Sequence, residues 1–466
     1  MVASNDWDKF LNSNRRKPKP ALSEGTSSLD SRTEFEKDQD RISFSTPLRR
    51  LADKTQVFPL ERNDSIRTRL THSLEVANIA WNFGIRVSTN SIIENAVGRK
   101  DLIRVIPPIL RASALMHDFG NPPFGHQGEE AIRSWFKQNE KEVLKNVSLE
   151  HVGDFLNFEG NAQGFRLITK LQLINDVYGL DLTYATLATF LKYPFSSEGG
   201  KKKYGYFFSE KDIALDVLDH TGLEVGIKHP LNCLMEASDD IAYSSMDVED
   251  AVKKQIVSFH DLVAFLEKSK SDPVIGEVVA FAKKKISEYT AKGLHSKELS
   301  IVLMERMRAE LINVMSRAVG DAFIQNFSKI SNRQECKLFE TSNTKVLRDQ
   351  LTAFAKEHAY RHYSVLAQEL KGRTIIHSLM DMLWVGISSI ENDVAKEWKD
   401  RGAAENFILS QISKNYLRVY EDDVATNKLG CKDYYKLRLL TDMVSGMTDT
   451  FAMDLEKELR TYLKVN

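Results

Sequence analysis

Two proline pairs confine the middle of the chain to one short helix: Pro107-Pro108 open the apolar run ILRASALM, and Gly120 stops it just before Pro122-Pro123. Proline is tolerated in a helix's first turn, glycine favours its end, and a second proline pair cannot continue it. His117 and Asp118 are thereby predicted in the last turn. A carboxylate is unfavourable there, at the negative end of the helix dipole, so Asp118 needs a cation nearby.

The rest of the chain reads as helical too. From Arg41 onward apolar residues recur at intervals of three and four, Leu, Ala, Lys and Glu abound, and alternating strand-like stretches are few. The expected fold class is all-α, with a helical catalytic core over 32–260 and a further helical region over 261–466 that completes the site and makes subunit contacts. Residues 1–31 combine RRKPKP with SEGTSS. That composition buries too little apolar surface to order itself and predicts a flexible N-terminal arm. With 64 Lys+Arg against 65 Asp+Glu, no global field draws the chain onto nucleic acid or an anionic membrane, so any polyanion site has to be local. No apolar run reaches the roughly 18 residues of a membrane span. Cys233, Cys336 and Cys431 are too scattered for a CxxC motif and too few for a disulfide framework, which points to a reducing, cytoplasmic location.

His72 lies upstream in RTRLTHSLEVAN. Leu70, Leu74, Ala77 and Trp81 form one apolar stripe while Val76, Ile79, Ala80 and Phe83 flank His72 on the other side, so a buried helix is predicted with His72 inside. Downstream, EASDDIAY puts Asp239 and Asp240 on a semi-buried helix, where carboxylates without partners are costly. His72, His117, Asp118 and Asp239 together are a complete ligand set for a divalent cation; imidazole and carboxylate suit Mn, Fe, Co, Zn or Mg. Spare coordination positions at such a site hold phosphate oxygens and activate water, so a metal-assisted phosphohydrolase follows. After the His-Asp pair, FGNPPFGHQGEE reads as a Gly/Pro-fixed loop that keeps His126 near the ligands, then a helix whose first turn holds Glu129 and Glu130. Residues 196–210, SSEGGKKKYGYFFSE, read as an exposed loop or short hairpin. No GxxxxGK[ST] loop is present, so phosphate is not held in the P-loop way.

The strings RTRLTHSLEVA, HDFGNPPFGHQGEEAIR, FEGNAQGFR and EASDDIAYSSMDVEDAV resemble the deoxyguanosinetriphosphate triphosphohydrolases of the HD-domain superfamily. The similarity extends from about Arg32 to SGMTDTFAMDL near the C-terminus. It implies an HD-domain helical core and cleavage of a dNTP, dGTP preferred, between the 5′ oxygen and the α-phosphorus, which releases deoxynucleoside and intact triphosphate. It implies Mn2+ or Mg2+ as cofactor, and a homo-oligomer, a hexamer.

Carried over residue by residue, the resemblance makes His72, His117, Asp118 and Asp239 the metal ligands, with Asp240 the competitor for the last place. Asp239 is preferred because Tyr243 and Asp247 then follow at four and eight residues on one helical face, where the family places a tyrosine on the sugar and an aspartate on its 3′ hydroxyl. His126 is assigned to protonate the departing 5′ oxygen, a step typically worth about 10²–10⁴-fold, and Glu129 to orient its imidazole. Arg69 suits phosphate bidentately. Lys192, Tyr193 and Lys203 are expected on the triphosphate, Gln56 near the nucleoside, and Asn161 completes the set. Two other classes stay open at this point: another HD phosphohydrolase, acting on nucleoside monophosphates, cyclic nucleotides or guanosine tetraphosphate, and a nucleotide sensor that binds a dNTP effector or uses its basic arm on single-stranded DNA.

Overall fold

The computed structural model describes residues 4–18, 30–59, 63–172, 177–293, 296–391 and 399–463. Among them the fold is all-α, and two isolated bridges, Arg15 with Thr183 and Thr55 with Thr68, are the only extended pairings. Three helices carry the centre. Arg69–Ser88 begins at Thr68, whose hydroxyl accepts the Thr71 N–H. Ile106–Met116 packs along it, and Asn232–Lys253 crosses both. At Gly84 the first two helices approach so closely that a Cβ would collide with the Pro107 backbone, so only glycine permits the crossing. The 36-residue helix Ser296–Ser331 backs the Asn232–Lys253 helix from the far side.

The face of the Arg69–Ser88 helix that carries His72, with Val76, Ile79, Ala80 and Phe83, is buried as expected. Of the other predicted stripe, Ala77 is buried and Leu70 and Trp81 are half-buried, but Leu74 is 46% exposed, because its side of the helix looks outward. One apolar core runs from Trp7 to Leu459 and takes in residues from both 32–260 and 261–466.

The expectation of a flexible arm over 1–31 is corrected for residues 4–18. Ser4–Phe10 forms a helix, and Trp7, Phe10 and Leu11 are fully buried. Trp7 stacks on Phe327 at 5.4 Å between ring centroids, and its Nε1 donates to Ser331 Oγ at 3.1 Å. Three large apolar side chains in WDKFL outweigh the polar average of the segment. The basic residues turn inward as well: Arg15 pairs with Glu34 at 2.9 Å and Asp38 at 2.7 Å, while Arg16 donates to the Thr169 carbonyl and lies over Tyr178. Neither guanidinium is presented as a free basic arm for DNA. Residues 1–3 and 19–29 of the predicted arm lie outside the described residues.

The 196–210 segment forms no hairpin. Lys201, Lys202 and Lys203 are exposed, but Tyr204, Tyr206, Phe207 and Phe208 are buried. Asp154 anchors the segment by accepting from Ser197 Oγ at 2.7 Å and from the Phe208 N–H at 2.9 Å. Among the described residues no helix is long and apolar enough to cross a membrane.

Candidate active site

The Ile106–Met116 helix ends one residue before His117, so His117 and Asp118 occupy the turn beyond it rather than its last turn. Gly120 explains why that turn is tight. A Cβ there would overlap the backbone of Gly160 and Gly164, so the His-Asp turn rests directly on the Gly160–Arg166 helix. The loop after it is shorter than the sequence suggests. Phe124 and Gly125 adopt positive φ, both 61°, and the next helix, Gly125–Gln138, starts at once. His126 is thus in its first turn and Glu129 one turn later, on the same side.

One donor atom from each of His72, His117 and Asp239 lies within 4.8 Å of the other two. Asp239 Oδ1 stands 3.2 Å from His72 Nε2 and 3.6 Å from His117 Nε2. His117 Nδ1 donates to the Ala114 carbonyl at 2.7 Å, which turns Nε2 toward the group. Burial disfavours charge on both His72 and Asp239, but Asp239 raises the His72 imidazole, and His117 followed by His72 holds Asp239 down at about 2. Two imidazole nitrogens and a carboxylate oxygen converging in this way fit a divalent cation.

Asp118 stands beside that group. One oxygen accepts from Arg69 Nη1 and the other from Asn121 Nδ2, and the first lies 3.5 Å from His117 Nε2. Burial opposes its charge, yet Arg69 and His117 hold its carboxyl well below the usual range. Arg69 therefore answers the misplacement of a carboxylate beyond a helix C-terminus, a local cause that the helix pattern alone does not reveal. Asp240 points elsewhere, accepting from Arg348 Nη1 at 3.2 Å.

Around these residues lies a cavity of about 680 Å3. Its walls include Gln56, Arg69, His117, Asp118, His126, Glu129, Asn161, Lys192, Tyr193, Lys203, Asp239, Tyr243 and Asp247; His72 is buried behind it, and Asp240, the competing ligand, does not line it. His126 Nδ1 approaches Glu129 Oε2 at 3.3 Å, and the Gly160 N–H donates to Glu129 Oε1 at 2.7 Å. The His126 side chain is 82% exposed while that of Glu129 is 4% exposed, so the carboxylate is fixed and the imidazole accessible. Burial opposes charge on Glu129, but His126 outweighs it and keeps the carboxyl low. Lys192 is raised despite its burial by Asp239 and Glu236.

The C-terminal half supplies residues that sequence reasoning missed: Thr352, Lys356, Tyr360, Val365, Leu366 and Glu369 also line the cavity. The Tyr360 hydroxyl donates to Asp247 Oδ2 at 2.5 Å, while Asp247 Oδ1 is buried with no hydrogen-bond partner among the described residues. Burial lifts the Asp247 carboxyl to about 7 against the lowering effect of Tyr360. Tyr360 follows a π-helical turn, Ala355–Ala359, and reaches Asp247 across 113 residues of chain, a contact with no local sequence signal.

Residues 69–156 match the HD domain family model. The chain is 36% identical to a deoxyguanosinetriphosphate triphosphohydrolase-like protein of Listeria monocytogenes over 97% of its own length and 99% of the relative's. It is 34% identical to a protein of the same name from Synechocystis, over 98% and 99%. The chain belongs to the deoxyguanosinetriphosphate triphosphohydrolase family of HD-domain proteins. A deoxyguanosinetriphosphate triphosphohydrolase of Salmonella arizonae is 31% identical over 91% of this chain and 93% of that one. As a member of the family the chain is a hydrolase, and HD-domain hydrolases depend on a metal.

Proposed function

We propose that the chain hydrolyses dNTPs, dGTP preferred, to deoxynucleoside and triphosphate. One observation carries the reading: the Asn232–Lys253 helix lays Asp239, Tyr243 and Asp247 along the wall of the cavity. Eight residues of helix rise about 12 Å, so Asp239 and Asp247 meet a bound nucleotide at separate points along the wall, the metal-ligand candidate at one end and the Asp247 carboxyl toward the other. Asp247 Oδ1, buried and without a partner, is an acceptor suited to a 3′ hydroxyl. In this reading the Tyr243 ring, one turn before Asp247 on the same wall, packs where a 2′ hydroxyl would lie, a basis for preferring deoxyribose.

His72, His117 and Asp239 would hold the metal, with Asp118 at their side. When bound, a divalent cation supplies Lewis acidity toward a phosphoryl oxygen and lowers the pKa of water. Arg69, Lys192 and Lys203 bring positive charge to the phosphates. His126, accessible and backed by Glu129, donates a proton to the departing 5′ oxygen. Anion-exchange analysis of products from each dNTP with Mn2+ or Mg2+ tests the reading. Deoxynucleoside plus intact triphosphate is expected; monophosphate plus pyrophosphate overturns it.

The preference for guanine rests on acceptors. Gln56 Oε1 is buried without a partner, and Glu369, raised by burial, accepts from Gln127. Guanine offers N1–H and an amino group on one edge, whereas adenine offers an acceptor at N1. Glu369→Gln is therefore expected to lower kcat/KM for dGTP by about tenfold or more while changing dATP hydrolysis little, since a site built to bond a donor pair penalises ligands that leave it unpaired. Equal losses on both substrates would remove Glu369 from base selection.

A further inference from the structure

Glu159 is anomalous on the wall of a cavity assigned to a polyanion. It is 1% exposed, reaches the cavity, and would repel phosphate unless its charge were engaged. Its Oε1 takes every hydrogen bond it accepts, and its Oε2 is approached only by cations. Asn161 Nδ2 donates to its Oε1 at 2.7 Å and the Asn161 N–H caps onto the same oxygen at 3.4 Å, so Glu159 both starts the Gly160–Arg166 helix and turns the Asn161 amide. Lys203 Nζ lies 3.3 Å from Oε1 and 3.0 Å from Oε2. Arg133 Nη2 stands 3.7 Å from Glu159 and 3.6 Å from Glu129, and its Nε donates to the Phe158 carbonyl at 2.7 Å, so Arg133 ties both carboxylates to the strut between them.

Lys203 comes from the exposed, lysine-rich part of 196–210, and its own side chain is half exposed. A lysine free in solvent gives up rotamer entropy when a ligand fixes it. Held by Glu159, it has already lost that freedom, and a hydrogen bond to Oε1 with an ion pair to Oε2 leaves at least one of its three N–H groups for another acceptor. Asn161 likewise keeps one amide hydrogen and its carbonyl oxygen.

We propose that Glu159 is a positioning residue for the triphosphate: it holds Lys203 and Asn161 with their remaining donors turned into the cavity, and it does not touch the reacting atoms. The proposal rests on the triphosphate-releasing reading above. It makes Glu159 matter for binding the phosphates and not for the chemical step.

Glu159→Gln is the sharp variant, because the amide preserves size and the capping oxygen but loses the charge that fixes Lys203. KM for dGTP is expected to rise about tenfold with kcat within about twofold of wild type, and inhibition by inorganic triphosphate to weaken by the same factor. Combining it with Lys203→Ala should add nothing to Lys203→Ala alone, because the two act through one contact. A fall in kcat at constant KM, or losses that multiply in the double variant, overturns the proposal. A drop in thermal midpoint with unchanged KM assigns Glu159 to the helix cap alone and overturns it as well. If Glu159→Gln does not fold, Glu159→Asp, which keeps charge but shortens the reach, is read by the same inhibition constant. Failure of the parent reading is seen separately, as wild-type protein that releases no triphosphate.

Discussion

Asp239→Ala is expected to lower kcat/KM by at least about 10³-fold and to strip the metal, whereas Asp240→Ala should stay within about tenfold of wild type. The two residues are neighbours of the same type, so composition cannot rank them, but the helix turns them apart. Asp239 Oδ1 closes on His72 Nε2 and His117 Nε2, while Asp240 faces Arg348. Loss of a group that merely supports a metal ligand typically costs about 10–100-fold, and loss of a ligand itself exceeds that. Metal content by elemental analysis is the second readout. It separates a lost ligand, which lowers both stoichiometry and rate, from a lost proton-transfer partner, which lowers rate alone; His126→Ala should retain the metal. An Asp240→Ala variant that loses metal while Asp239→Ala keeps it would reverse the assignment.

What could be foreseen from sequence follows the range of the forces involved. Proline and glycine act within one turn, and Pro107-Pro108 with Gly120 located the helix before His117 to within a few residues. Helical periodicity acts within one element, and the i, i+4, i+8 placement of Asp239, Tyr243 and Asp247 on one wall follows from it. The early start of the Gly125–Gln138 helix was missed because Phe124 adopts positive φ, unusual for a bulky residue and held by its N–H bond to Asp449 at 2.9 Å. The docking of Trp7 on Phe327, the outward turn of Leu74 and the Tyr360–Asp247 bond depend on partners far away in the chain. Periodicity says which face is apolar, not whether anything covers it. The same limit applies to Asp118: the need for a cation was legible, but its nearest cation in the fold is Arg69, itself on the list of phosphate contacts.

Arg67→Ala is expected to destabilise the fold by about 3–5 kcal/mol, the usual cost of removing one partner from a buried ion pair. Arg67 is 7% exposed at its side chain and pairs at 2.5 Å with each of three carboxylates: Glu75, Glu249 and Asp250. Glu249 and Asp250 are each 1% exposed, so truncation would leave two desolvated charges in place. Arg308 relieves only part of this, at 3.5 Å from Glu249. Lys428→Ala is the control, since its pair with Asp212 is exposed at both ends and worth about 1 kcal/mol or less. Urea midpoints at fixed slope give the comparison, and equal shifts for the two variants would refute the assignment. Lys in place of Arg67 should recover little, because a point charge cannot serve three acceptors in fork geometry. The position of Arg67 links this stability to the site: it lies two residues before Arg69 and ties the start of the His72 helix to the end of the helix bearing Asp239. The 3.2 Å approach of His72 to Asp239 depends on that junction, so a variant that still folds should lose metal affinity along with stability.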